Sequence, residues 1–177
     1  QMAKAAAVNN MVGYCQSHRG TFWTNLADSN FDPAQITVPC EADCSSGVAA
    51  IVKGAGYRLK NEKLKNVSTA CYTGNLRAAL KAAGFEVLTD KKYLTSDAYL
   101  LEGDILLNDG AHVATNLTNG AKASGGGASQ TVPINSNVKL ETAKGFNKSL
   151  AGTYKVTGAG ALNLRSGAGT GKDKKVL

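Results

Sequence analysis

Asp43-Cys44-Ser45-Ser46 opens a stretch in which Val48, Ala49, Ile51, Val52 and Ala55 share one face, a spacing that predicts a helix from Cys44 to about Ala55. Asp43 or Ser45 can cap its start, and Gly56 can end it. A thiol at a helix start faces unpaired backbone N–H groups and the positive end of the helix dipole, both of which favour an anion. Thiolate is the nucleophilic form of cysteine. The same N–H groups can stabilise the oxyanion of a tetrahedral intermediate. Such a nucleophile needs a base within hydrogen-bond reach, and the chain has two histidines, His18 and His112. His112 begins a predicted strand just after the Asp109-Gly110 turn, where it can face the helix if the sheet packs there. His18, beside Arg19 at the end of an earlier helix, is the rival. The plainer alternatives are a small buried cysteine and a structural histidine.

The elements that must position these residues follow from periodicity and punctuation. Ala3 to about Ser17 reads as a helix with Val8, Met11, Val12 and Cys15 on one face, and Thr21 to Pro39 as irregular chain holding Trp23. A further helix is expected from about Gly74 to Ala83, stopped by Gly84, then a short strand at Phe85–Leu88. Ile105–Leu107 and Ala111–Leu117 read as strands about the Asp109-Gly110 turn, and Asn119-Gly120 as a hairpin from which Ala121–Ser124 pairs back. Helices first and an antiparallel meander after is an α+β order. Gly125-Gly126-Gly127 opens a linker, 125–152, and the alternation after it (Val156-Thr157, Leu162-Asn163-Leu164-Arg165) marks the front edge of an all-β module, 153–177.

Composition narrows the function classes. The 20 Lys and Arg against 13 Asp and Glu leave a net charge of +7, which favours an anionic partner. The basic residues are dispersed rather than gathered on a helix with interleaved aromatics, so a nucleic-acid partner is not expected. No apolar run reaches membrane-spanning length, so no membrane insertion is expected either. Gln1-Met2 and the Ala-rich start lack a signal-peptide core, and Met2 reads as the natural start. Cys15, Cys40, Cys44 and Cys71 lack zinc-ligand spacing, and the histidines are unpaired, so neither metal nor cofactor is expected. Cys40, four residues before Cys44, is a bystander thiol or a disulfide partner.

Asp43-Cys44-Ser45-Ser46, Tyr72-Thr73-Gly74-Asn75-Leu76, and Gly103-Asp104-Ile105-Leu106-Leu107-Asn108 leading to His112-Val113-Ala114 resemble the NlpC family of papain-like cell-wall peptidases, in its phage endolysin branch. Gly152-Thr153-Tyr154 through Ser166-Gly167-Ala168-Gly169 resembles the opening of a bacterial SH3-like wall-binding module. The resemblance implies an α+β, papain-like fold with N-terminal helices packed on an antiparallel sheet: a catalytic domain at 2–124, then the linker and an incomplete module. It implies attack by Cys44 on an amide of the peptidoglycan stem peptide in a Gram-positive wall, with His112 as base and no cofactor. The expected bond follows D-glutamate; the muramoyl–L-alanine amide and a non-catalytic wall-binding role are the alternatives. Ser124 falls near the position of the family's third polar residue, Asn116 is its chemical rival, and Asp43, Ser45, Tyr72 and Trp23 are the expected substrate contacts. Synthesis in a host cytoplasm and action on the wall complete the expectation.

Overall fold

A computed structural model describes residues 1–123. Ser124, the linker and the wall-binding module expected from sequence lie outside them. In chain order the elements are α1 (Met2–Val8), β1 (Val12–Tyr14), α2 (Thr21–Asp28), a 3-10 turn (Pro33–Gln35), β2 (Cys40–Ala42), α3 (Cys44–Leu59), α4 (Glu62–Lys65), α5 (Thr73–Ala82), α6 (Lys91–Leu94), β3 (Ile105–Asn108) and β4 (His112–Thr115). The fold is thus mixed α and β, with six α-helices and two small sheets among the described residues. β1 and β2 pair in parallel, Tyr14 opposite Ala42; β3 and β4 pair antiparallel, Leu107 opposite Val113.

The long helix α3 organises the packing. One side of it (Val48, Ala49, Val52) meets Val67, Leu76, Leu80 and Val113; the other side (Ala50, with Ile51 and Ala55) meets Met2, Phe22, Leu26 and Ile36. Two glycines make the close approaches possible. A Cβ on Gly54 would lie 3.0 Å from the Met2 methyl and 3.1 Å from Leu26, and one on Gly56 would lie 2.5 Å from the Lys65 backbone nitrogen. Gly56 is therefore kept for helix–helix contact and does not end α3, which runs on to Leu59 and stops where Lys60 turns left-handed at φ 54°.

Four expectations are corrected. The first helix stops at Val8, because the Asn9 side chain leaves the helix to bond the Pro33 and Ile36 carbonyls (2.7 and 2.9 Å) and to accept from the Met11 amide. Residues 12–14 then form a strand. Thr21–Asp28, read as irregular, is helical, because Phe22 and Leu26 bury one face. Phe85–Leu88 has no partner strand among the described residues and stays about a third exposed, so no strand forms there. Lys122 and Gly120 donate to the Ala98 and Leu100 carbonyls instead of pairing on β4, so the expected third hairpin strand does not form within the described residues. The sheet seated beside the start of α3 is parallel, a feature the α+β meander did not foresee.

Candidate active site

β2 delivers the chain to Asp43, whose extended backbone ends the strand and caps α3. Asp43 Oδ1 accepts from the Ser46 amide (2.7 Å) and the Ser45 hydroxyl (3.1 Å), while the Asp43 amide donates to Ser46 Oγ (2.9 Å). This reciprocal capping box holds Cys44 as the first helical residue, with its thiol partly exposed. Ser45 and Ser46, the two residues after the thiol, are both buried and both bond within the cap.

Arg19 ties the helix start to its surroundings. Its guanidinium lies 3.2 Å from Asp43 Oδ2, donates to Ser45 Oγ at 3.3 Å and donates to the Cys71 carbonyl. The last bond fixes the chain just before Tyr72, the N-cap of α5. Tyr72 is 57% exposed and turns its ring over Gly74, where a Cβ would come within 2.5 Å of the ring. Of the expected contacts, Asp43 and Ser45 share one guanidinium, which also bonds the carbonyl of the residue before Tyr72.

Tyr14 is the residue that sequence reasoning missed. Burial first, then hydrogen bonding and charge interaction with the neighbouring Cys44 thiol, push its phenol above the ordinary value. Reading 3–17 as one helix hid it; the apolar-Gly-aromatic run after Asn9-Asn10 was the available signal.

The remaining candidates are placed differently. His112 opens β4 beside α3, in a strand whose Val113 packs into the same cluster as Cys44. Alternation puts Val113 inward and His112 on the solvent face, and the imidazole has no hydrogen-bond partner among the described residues, so no bond joins it to Cys44. Asn116 Nδ2 is taken up by the Leu101 and Thr118 carbonyls (2.7 and 2.6 Å). Trp23 stacks on Phe31 at 5.9 Å and tilts toward Tyr57 at 6.1 Å. Tyr57 is thirteen residues along α3 from Cys44, roughly 20 Å at ~1.5 Å per residue, so Trp23 is not brought to the thiol.

All four cysteines are free, and burial pushes the Cys40 and Cys71 thiols up, leaving Cys15 and Cys44 as the accessible ones. A cavity of about 320 Å³ between the end of α5 and β3, lined by Leu80, Phe85, Leu88, Leu94, Leu100 and Leu106, includes neither Cys44 nor His112.

The family model of the endolysin-like domain matches residues 1–123, the whole of the described region. The chain belongs to the endolysin-like domain family. Membership in an endolysin-type family points to a phage cell-wall lytic protein with peptidoglycan as substrate. No curated protein and no solved structure gave a match. In this endolysin-like domain no helix of the described residues is long and apolar enough to cross a membrane.

Proposed function

We propose that the chain is a peptidoglycan amide hydrolase of the papain-like, NlpC-type class, with Cys44 as nucleophile and His112 as base. The observation that carries the reading is the placement of Cys44: first residue of a capped helix and partly exposed, with the Tyr14 phenol as its neighbour. Cys44 attacks the amide carbon of the stem peptide, and the C–N bond breaks in the tetrahedral intermediate to leave a thioester. His112 takes the thiol proton and returns it to the leaving amine; water then hydrolyses the thioester. Catalytic hydrogen bonds commonly tighten only when substrate binds, and the strand that carries His112 packs through Val113 into the cluster that Cys44 borders. Ser124 or a backbone carbonyl orients the base. Tyr14 positions the sulfur, and Tyr72 contacts the substrate.

The favoured bond follows D-glutamate in a Gram-positive stem peptide. Hydrolysis of the muramoyl–L-alanine amide uses the same machinery. The residues after 124 serve as linker and SH3-like wall-binding module. The test is turbidity loss of purified Gram-positive walls with the full chain, Cys44→Ala and His112→Ala, followed by mass spectrometry of the released pieces. Clearing by the parent and not by either variant supports the assignment, and the new amino termini name the bond. Equal clearing by all three sinks it; a folded parent that binds walls without clearing any of several wall types leaves a binding protein.

A further inference from the structure

Three side chains, two from the loop between β1 and α2 and one from β2, converge near the carboxyl end of β1. Cys15 follows β1, His18 lies in the turn before α2, and Glu41 is the middle residue of β2. His18 Nδ1 lies 2.9 Å from Glu41 Oε2 and 3.7 Å from Cys15 Sγ, and the ligand atoms of all three lie within 4.8 Å of one another. We propose that Cys15, His18 and Glu41 form a binding site for a divalent transition-metal ion of the zinc type, with a fourth position open to water.

The arrangement is not that of a second catalytic triad. A relay places the nucleophile at one ring nitrogen and the orienting carboxylate at the other. Here sulfur and carboxylate oxygen both meet His18 Nδ1, so the three donors point to one place. In a tetrahedral site with Zn–S near ~2.3 Å and Zn–N near ~2.0 Å, sulfur and nitrogen stand roughly 3.5 Å apart. The observed 3.7 Å is close to that separation. The 2.9 Å contact to Glu41 has only to open by roughly half an ångström as metal replaces the hydrogen bond. One sulfur, one imidazole nitrogen and one carboxylate oxygen suit zinc or cobalt, whereas magnesium and calcium favour oxygen alone.

The frame is already ordered. The Cys15 amide donates to the Ala42 carbonyl at 3.0 Å, and Thr21 Oγ1 both donates to the His18 carbonyl (3.0 Å) and accepts from the Glu41 amide (2.8 Å). His18 is 67% and Glu41 40% exposed at the side chain, so the ion exchanges freely and keeps solvent on its open side. Binding releases the Cys15 thiol proton to water. The site involves none of the groups assigned to peptide hydrolysis, so it stands or falls apart from that assignment.

The test is a cobalt(II) titration of the full chain carrying Cys44→Ala, which removes the other accessible thiol; Cys40 and Cys71 are buried. One equivalent should bring up thiolate-to-cobalt charge-transfer absorption with the intense visible bands of a tetrahedral ion, and zinc should bleach both. Adding Cys15→Ser should abolish the charge transfer, and adding His18→Ala should weaken binding by at least ~10–100-fold. Circular dichroism and the metal-free Tm of each variant establish that it is folded. Charge transfer that persists in the folded Cys15→Ser variant overturns the site, as does the absence of any in the folded Cys44→Ala chain at millimolar cobalt. In the parent chain, zinc should slow alkylation of Cys15 by iodoacetamide, read by peptide mass spectrometry; an unchanged rate counts against the site.

Discussion

Asp43 holds the helix start through three contacts that substitution can separate. In Asp43→Ala the Ser46 amide loses its cap acceptor, worth about 1 kcal/mol. Arg19 loses its carboxylate partner; the guanidinium side chain is 31% exposed, so screening limits that loss to about 1 kcal/mol or less. The buried Ser45 hydroxyl loses its acceptor as well, at about 1 kcal/mol, reduced because it still accepts from Arg19. The total, about 2–3 kcal/mol, is a large share of the ~5–15 kcal/mol that holds a domain folded. Asp43→Asn keeps an acceptor for Ser46 and gives up mainly the ion pair, so it should cost about 1 kcal/mol. Urea unfolding of the two variants reads the difference through the midpoint at unchanged slope. If Asn costs as much as Ala, the charge and not the cap carries the effect. If neither costs more than ~0.5 kcal/mol, the capping argument is wrong, and so is the account of why Cys44 sits where it does.

Further outcomes follow from the same structure. Gly56→Ala should destabilise by about 1–3 kcal/mol through overpacking on α4, whereas Gly20→Ala, with open space around the new methyl, should cost under ~1 kcal/mol; thermal unfolding distinguishes them. Tyr14→Phe should slow alkylation of Cys44 and lysis of walls while leaving Tm within a few degrees, a split that a merely structural tyrosine does not give. Cys40, Cys71 and Tyr14 all bind their protons more tightly when folded, so their contribution is complete below the unfolded values and lost as pH rises through the folded ones. Stability should therefore fall above about pH 8.5, and further near pH 10, in urea titrations across that range. Glu102 carries the opposite sign: Lys4 lowers its carboxyl, so that contribution is present at neutral pH and lost on acidification through the lowered value.

What the sequence disclosed was the local chemistry, and what it hid was non-local. The helix start at Cys44, the stop at Gly84 and the hairpin about Asp109-Gly110 were legible because each rests on residues within a turn of one another; Gly84 and Gly110 do take positive φ. The β1–β2 pair was not, since each strand has three residues and its partner lies 28 positions away, Val12 opposite Cys40. Val8, Met11, Val12 and Cys15 match a helical stripe by period, yet Asn9 breaks that stripe by reaching carbonyls 24 and 27 residues further on. Arg19 and Tyr14 escaped notice for the same reason. Their roles exist only once β1, α2 and α3 have met.

The position of α3 between two apolar clusters bears on how the molecule comes apart. A helix gripped on both flanks has no cheap partial opening, since freeing either side uncovers buried Val, Leu or Phe. Its mid-helix amides, from Val48 to Val52, should exchange with deuterium only through whole-domain unfolding, while the backbone around Phe85–Leu88, with few hydrogen bonds, exchanges early. The thiol at the head of that helix inherits the same cooperativity. Heat or denaturant should then remove the fold and the arrangement around Cys44 in a single transition, with no loosened intermediate in which the site outlives the domain or the domain outlives the site.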